Sequence, residues 1–140
     1  MKKIALLGHQ EITKIVAENL LENGIEINSL ISLEYIKGSK ISEYVYLHSF
    51  TKKNKIKFVE VDDYSLEKEE LNRYFINEKF DIIFVIGWSR LIPEKLLKLK
   101  ATDFIGWHGG PFLPPRCRGR AVVNWAIINN ETDFFFTQLL

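Results

Sequence analysis

Residues 3–33, KIALLGHQEITKIVAENLLENGIEINSLISL, carry the pattern that decides the fold. A short apolar run ends at Gly8, and apolar residues then recur at helical spacing as far as Leu20. Asn23-Gly24 supplies the stop signal of that helix, and residues 25–33 are rich in β-branched side chains. The stretch predicts a strand, a helix and a second strand, joined by a right-handed crossover that makes the strands parallel.

The rest of the chain repeats this alternation. Residues 34–39 predict a loop, and for the ambiguous segment 41–50 we favour a helix. Further strands are predicted at 57–61, 81–86, 102–105 and 133–140, and further helices after Ser65, at 93–97 and at 121–129. The run DIIFVI at 81–86 is apolar without alternation, as in a strand buried on both faces. We therefore predict an α/β fold with a doubly wound, mostly parallel sheet.

Length and composition indicate one domain, with 140 residues, 46% of them hydrophobic and 26% charged. The net charge of +1 gives no reason to expect a nucleic-acid or membrane partner. Cys117 is the only cysteine, and no leader or membrane-spanning stretch is present, so we expect a cytoplasmic protein. The final run FFFTQLL is an apolar strand with nothing after it. We therefore expect residues 1–140 to be an incomplete domain, cut at its C-terminal strand.

Two loops follow predicted strands at the edge where open α/β sheets bind ligands. The turn Gly8-His9-Gln10 opens the first helix and is either a tight turn or a phosphate contact, and we weigh these equally. The loop GWSRLIP at 87–93 offers backbone donors and acceptors with an aromatic wall, which suits a flat heterocycle. The alternative is that Trp88 and Leu91 only cover the sheet edge.

The stretch 104–130, FIGWHGGPFLPPRCRGRAVVNWAIINN, holds the strongest candidate for chemistry. We expect His108 just after a strand end, beside a loop stiffened by proline, where an imidazole can move a proton or stabilise an oxyanion. Arg118 and its arginine neighbours either bind an anion or hold the loop in shape. His9 and His48 lack such a setting, and the histidine spacing predicts no metal site. Cys117 has no neighbouring histidine, and we do not expect it to be a nucleophile.

These residues resemble the signature of the folate-dependent formyltransferases. The matching positions are His108, Leu113-Pro114, Arg118-Gly119, the helix NWAIIN at 124–129 and Glu131-Thr132. The usual loop pattern is N-x-H-P-S-L-L-P-x-x-R-G, and the loop here, HGGPFLPPRCRG, is about two residues longer. The first turn and the loop VIGWSRLIP are also similar, so the resemblance covers most of the chain. It is closest in character to the nucleotide-amino-sugar and methionyl-tRNA formyltransferases.

The resemblance implies a Rossmann-like N-terminal formyltransferase domain that moves a formyl group from 10-formyltetrahydrofolate to an amine. It implies that His108 stabilises the oxyanion. It also implies cofactor and acceptor sites: the pterin is held by Trp88, Arg90, Leu91 and Ile92, and the acceptor by Gly8, His9 and Arg118. Among acceptors we rank a nucleotide-linked amino sugar first. A homodimer is left open.

Two departures from the family pattern matter. Gly106 stands where the family has an asparagine, and the family aspartate would fall beyond Leu140. We therefore expect transfer activity in an intact or longer product. The alternatives are a truncated folate-binding remnant without activity and a formyltetrahydrofolate hydrolase. An unrelated nucleotide-binding α/β domain is the third possibility. The interpretation depends on the proline-braced segment bringing His108 to a pterin beside Trp88.

Overall fold

The computed structural model describes residues 2–113, 116, 119 and 121–139. The chain divides into two compact units, Met1–Phe104 and Ile105–Leu140. None of the helices in the described residues is both long enough and apolar enough to cross a membrane.

The first unit is built on four parallel strands. They are β1 (Ile4–Leu7), β2 (Ser29–Leu33), β3 (Lys57–Val61) and β4 (Ile82–Val85). Because β1 pairs with both β2 and β4, and β2 also pairs with β3, the order is β3-β2-β1-β4. Every residue of β1 and β2 is buried, as expected for central strands covered on both faces.

Five helices accompany these strands: α1 (Glu11–Glu22), α2 (Tyr35–Gly38), α3 (His48–Lys53), α4 (Glu69–Glu78) and α5 (Glu94–Leu97). The start of α1 is fixed by Thr13, whose Oγ1 accepts a hydrogen bond from the Gln10 N–H at 3.3 Å. The same hydroxyl donates to the Ile86 carbonyl at 2.7 Å, just past the end of β4. The chain leaves α1 through Gly24 at φ +73°, a left-handed conformation that glycine adopts without strain.

Two separate hydrophobic cores lie on the two faces of this sheet, because successive residues of a strand point to opposite sides. Leu7 and Ile31 belong to a core that contains Phe75 of α4, whereas Leu6 and Leu30 belong to one that contains Ala17 of α1. Helices therefore cover both faces, and the predicted doubly wound sheet is confirmed.

The second unit contains an antiparallel strand pair and one helix. Strand β5 (Asp103–Gly110) starts in the first unit, where the Asp103 N–H donates to the Asp81 carbonyl at 2.9 Å. It continues into the second unit and pairs with β6 (Phe135–Leu139). Between them lies α6 (Val122–Ile128), of which Ala126 is the buried residue.

Most predicted elements of the first unit are confirmed, with three boundary corrections. Residues 34–39 are not a simple loop, because they contain α2. The segment 41–50 is mostly irregular and becomes helical only at His48. Ser65 does not cap α4: its side chain donates to the Asp63 carboxylate at 2.8 Å, and the helix begins at Glu69. In each case local side-chain bonds or packing override the periodicity.

The prediction that the fifth strand ends near residue 105 is wrong. Strand β5 runs on to Gly110, so that His108 lies within a strand rather than just after one. The extension depends on pairing with β6, which is distant in sequence, and the three glycines in this stretch conceal it because glycine weakens the strand signal.

Candidate functional site

The turn after β1 is bonded tightly to the neighbouring strands. The Gly8 N–H donates to the Ile31 carbonyl at 3.0 Å, and the His9 N–H donates to the Gly87 carbonyl at 3.3 Å. A Cβ on Gly8 would lie 1.8 Å from the Ile86 carbonyl oxygen, so only glycine fits. Because both amides are used within the fold, an anion at this turn would have to be held by other groups.

The loop after β4, residues 87–93 (the Trp88 loop), carries backbone polar groups that the fold leaves unused. Gly87 opens it at φ +70°. Across the described part of the chain, no backbone N–H or C=O of residues 88–92 is hydrogen-bonded to another backbone group. Leu91 is 93% exposed, whereas Ile92 packs against the core that contains Phe75. This row of free donors and acceptors suits the polar edge of a flat heterocycle.

Three rings pack edge to face behind this loop, and we call them the ring cluster. Their centroids are 5.1 Å apart for His9–Trp88, 5.3 Å for His9–Tyr64 and 4.8 Å for Tyr64–Trp88. Such aromatic pairs contribute about 0.5–1.5 kcal/mol each beyond the area they bury. Trp88 is only 8% exposed, and its indole therefore anchors the loop to the fold.

The polar atoms of the ring cluster form a short chain that ends on the loop. The Tyr64 hydroxyl lies 3.4 Å from His9 Nε2 and hydrogen-bonds the Ser89 hydroxyl. The Arg90 guanidinium lies 5.5 Å from the centroid of the Tyr64 ring, within cation–π range. Nδ1 of His9 and Nε1 of Trp88 are buried, and neither has a hydrogen-bond partner among the residues that the structure describes.

The ring cluster is electrically neutral at physiological pH. His9 is fully buried, and this burial lowers its pKa from 6.5 to about 4, because a charged imidazole would lose its hydration there. Burial is also the main cause that raises the pKa of Tyr44, whose ring centroid lies 6.1 Å from that of His9, to about 12. Arg90 is therefore the only charged side chain among the contacts found at this cluster in the described residues.

The remaining predicted site residues belong to the second unit. His108 is half-buried on β5 and pairs with Thr137 of β6. Gly109 admits a close contact, since a Cβ there would lie 2.7 Å from the Phe134 ring. Gly106 pairs with Leu139 in the same ladder. Arg118 and Cys117 lie outside the described residues. No three His, Cys, Asp or Glu side chains in the described ranges are grouped as metal ligands would be.

Comparison with known proteins assigns the family. The family model described as "Formyl transferase" matches residues 2–134, nearly the whole chain. The chain belongs to the formyl transferase family. The resemblance read from the His108 loop and the NWAIIN helix is thereby confirmed.

Relatives of this formyl transferase family member include methionyl-tRNA formyltransferases. The protein of that name from Mycoplasma capricolum is 29% identical over 132 residues, which are 92% of this chain and 40% of the relative. The one from Caldanaerobacter subterraneus is 24% identical and aligns with 99% of this chain and 44% of its own length. The chain thus spans about two fifths of the length of these relatives.

Solved structures of formyl transferase relatives share the fold. A glycinamide ribonucleotide transformylase from Geobacillus kaustophilus matches with a TM-score of 0.74 at 15% identity, covering 99% of this chain and 73% of that one. A formyltetrahydrofolate deformylase from Pseudomonas syringae matches with a TM-score of 0.65 at 16% identity, covering 99% and 52%. At such identities the likeness concerns the fold, and the predicted Rossmann-like α/β class is confirmed.

The structure adds two residues to those that the sequence of this family member pointed to. Tyr64 and Ser89 join the turn at His9 to the Trp88 loop. Ser89 lies inside the loop at 87–93, but a single serine in a sequence does not indicate that its hydroxyl bonds the Tyr64 hydroxyl. Tyr64 follows β3 by three residues, and its position after the carboxyl end of a parallel strand is the one signal that marks it.

Proposed function

We propose that this formyl transferase family member transfers a formyl group from 10-formyltetrahydrofolate to the amine of a small substrate. The observation that carries the proposal is the Trp88 loop, where the backbone groups of residues 88–92 have no backbone partner among the described residues and lie beside a neutral ring cluster. The described residues fit a pterin, because a pterin presents alternating donors and acceptors along one edge and carries no charge. When bound, the folate supplies an activated formyl group.

Within this proposal each residue of the Trp88 loop has a distinct task. Trp88 is buried and holds the loop against the sheet. Leu91 is exposed and covers the apolar face of the bound ring. Ile92 is anchored in the core and fixes the far end of the loop. Arg90 is exposed on the Trp88 loop, where its guanidinium attracts the carboxylates of a folate tail.

His108 is the proposed catalytic residue. As the amine attacks the formyl carbon, negative charge develops on the formyl oxygen, and a donor held close to it lowers the barrier by about 3–4 kcal/mol. The imidazole of His108 donates that hydrogen bond. The formyl carbon then loses its bond to N10 of the folate, tetrahydrofolate leaves, and N10 takes up the proton that the amine gives up. Gly106 has no side chain to add a second donor, so we expect His108 to carry most of this stabilisation.

For the acceptor we propose a nucleotide-linked amino sugar bound with the help of Arg118, whereas Gly8 and His9, which are buried with their N–H groups bonded inside the fold, shape the turn and do not bind the acceptor. The relatives' names mention other acceptors, methionyl-tRNA and phosphoribosylglycinamide. The net charge of +1 favours a small acceptor over tRNA. The cytoplasm is the proposed location.

The test is formyl transfer measured with 10-formyltetrahydrofolate and three acceptors: a nucleotide amino sugar, glycinamide ribonucleotide and methionyl-tRNA. It is run on this chain and on any longer product of its gene. Formylation of the amino sugar supports the proposal in full. Formylation of only methionyl-tRNA or the ribonucleotide retains the reaction and replaces the acceptor. No transfer to any of them by either form contradicts the proposal.

His108→Ala is the decisive variant, with His48→Ala as its matched control. His48 sits on α3, stacked on Tyr46 at 5.9 Å, and has no part in the proposed site. We expect His108→Ala to lower kcat at least a hundredfold while leaving the folate Kd within about twofold, and His48→Ala to change neither. Equal turnover in His108→Ala and the parent would remove His108 from the mechanism.

Hydrolysis of 10-formyltetrahydrofolate is the second candidate. A solved deformylase shares the fold. Formate release from 10-formyltetrahydrofolate without any amine, at a rate that added amines do not change, would favour this candidate over transfer.

A further inference from the structure

We infer that Tyr64 is a positioning residue that holds the Trp88 loop in its binding shape through Ser89 and His9. The inference rests on the proposed function for its consequence in folate binding. The part of the inference that concerns the shape of the loop depends only on the contacts that Tyr64 makes.

Tyr64 contacts three consecutive residues of the Trp88 loop and also the turn at His9. Its hydroxyl bonds the Ser89 hydroxyl and lies 3.4 Å from His9 Nε2. Its ring packs edge-on against Trp88 at 4.8 Å and lies under the Arg90 guanidinium at 5.5 Å. Three consecutive loop residues are therefore oriented by a single side chain from a different segment of the chain.

The loop needs such a support because its own backbone provides none. Residues 88–92 make no backbone hydrogen bond within the described ranges, so their conformation is not fixed by a ladder or a turn. The side chains at positions 88–90 must fix it instead, and Ser89 is exposed apart from its bond to Tyr64. Losing that bond would leave the segment free to sample other conformations, and a ligand would then have to order it.

His9 completes the support from the other side. Its backbone is held at both ends, by the His9 N–H to Gly87 bond and by the Val45 N–H, which donates to the His9 carbonyl at 2.8 Å. The imidazole is therefore a fixed partner for the Tyr64 hydroxyl. Tyr64 in turn links the turn after β1 to the loop after β4.

The structure contains a matched control for the test. Tyr74 also makes a tyrosine–serine hydrogen bond, from its hydroxyl to the Ser29 hydroxyl at 2.8 Å, with its ring against Phe75 and Phe80. Tyr74→Phe removes a hydrogen bond of the same kind within the same unit, and these contacts of Tyr74 do not include the Trp88 loop. A purely structural role for Tyr64 predicts that the two tyrosine variants behave alike.

The experiment compares Tyr64→Phe, Ser89→Ala, their double variant and Tyr74→Phe. It is done with Trp107→Phe and Trp125→Phe in the background, so that fluorescence reports Trp88 alone. The readouts are the acrylamide quenching constant of Trp88, the Kd of 5-formyltetrahydrofolate by calorimetry, and Tm. We expect Tyr64→Phe and Ser89→Ala each to raise quenching about twofold and weaken binding about fivefold, the range for one hydrogen bond.

The double variant should be no worse than Tyr64→Phe, because the bond that Ser89→Ala removes is already lost in Tyr64→Phe. Tyr74→Phe should lower Tm by a similar amount while leaving quenching and Kd unchanged. Quenching unchanged in Tyr64→Phe, or changed equally in Tyr74→Phe, would overturn the inference. If the parent does not bind 5-formyltetrahydrofolate at all, the proposed function fails, and the quenching data still decide the role of Tyr64.

Discussion

Acidification from pH 7.5 to pH 5 should destabilise this protein through His9. The imidazole is fully buried, and its folded pKa is about 4, against 6.5 for an exposed histidine. Above pH 6.5 both states hold it neutral, and it contributes no pH dependence. Below pH 6.5 the unfolded chain binds a proton that the folded chain refuses, so the free energy of unfolding falls until the folded pKa is reached.

The size of this effect follows from the difference between the two pKa values. The separation of about 2.5 units between the two pKa values, at roughly 1.4 kcal/mol per unit, corresponds to a total loss of about 3.5 kcal/mol. Between pH 7.5 and pH 5 the loss should be about 2 kcal/mol. Hydrogen bonds lower the pKa values of Asp62, Asp63 and Glu78 in the folded protein. The stability that these carboxylates contribute is therefore lost only below their unfolded pKa values near 4, which lies outside the range from pH 7.5 to pH 5.

Urea unfolding of the parent and of His9→Gln, at pH values from 7.5 down to 5, measures the effect. Glutamine keeps a polar group within reach of the Tyr64 hydroxyl and removes the titration. We expect His9→Gln to be less stable than the parent at pH 7.5, with a nearly flat pH profile. His48→Gln controls for the loss of a histidine outside the ring cluster and should keep the parent's slope.

A parent whose unfolding free energy changes by less than about 0.5 kcal/mol between pH 7.5 and 5 would refute the reasoning. Such a result would mean that His9 is charged or hydrated in the folded protein, so that the ring cluster is not the neutral environment on which the heterocycle site depends. A slope of the expected size that survives in His9→Gln would assign the effect to another group.

Three further substitutions test packing and charge. Gly8→Ala should lower the free energy of unfolding by about 3 kcal/mol or more, because the new Cβ would lie 1.8 Å from a carbonyl oxygen. The control Gly24→Ala, at φ +73° with open space around it, should lower it by only about 1 kcal/mol. Equal losses of the two variants in urea unfolding would contradict this. Trp88→Ala should cost about 3–5 kcal/mol, and the milder Trp88→Phe should still weaken 5-formyltetrahydrofolate binding in calorimetry; unchanged affinity would make the indole a packing group only. Glu78→Gln breaks ion pairs of 2.6 Å to Lys3 and 2.5 Å to Lys57 and should cost about 1 kcal/mol at low salt; a loss that persists in 1 M salt would exclude a mainly ionic cause.

The sequence predicted the elements whose signal is local. Strands β1 and β4 were found because a parallel strand inside the sheet is a continuous apolar run, which turn residues interrupt at each end. The end of α1 was found because Gly24 marks a left-handed helix end. Both signals are complete within a few residues and need no knowledge of the rest of the chain.

What the sequence could not predict depends on partners distant along the chain. The extension of β5 through His108 requires β6, which supplies Thr137 opposite the histidine. The ring cluster requires three segments that are separated by 55 and 25 residues, as the bonds of Tyr64 to His9 and Ser89 show. A single tyrosine, serine or histidine has no periodicity, and its role becomes visible only once the sheet order is known.

The sheet order itself explains why the candidate site forms where it does. In the order β3-β2-β1-β4, the chain moves from β1 to one side and later returns to place β4 on the other side of β1. The connections after these two strands therefore diverge at the sheet edge where open α/β proteins bind ligands, and the turn at His9 and the Trp88 loop meet there. Tyr64 starts from β3, two strand spacings away from β1, so its segment must cross about 10 Å of the sheet edge to reach them. A tyrosine suits this position, because its long, rigid side chain brings one hydroxyl to both His9 and Ser89.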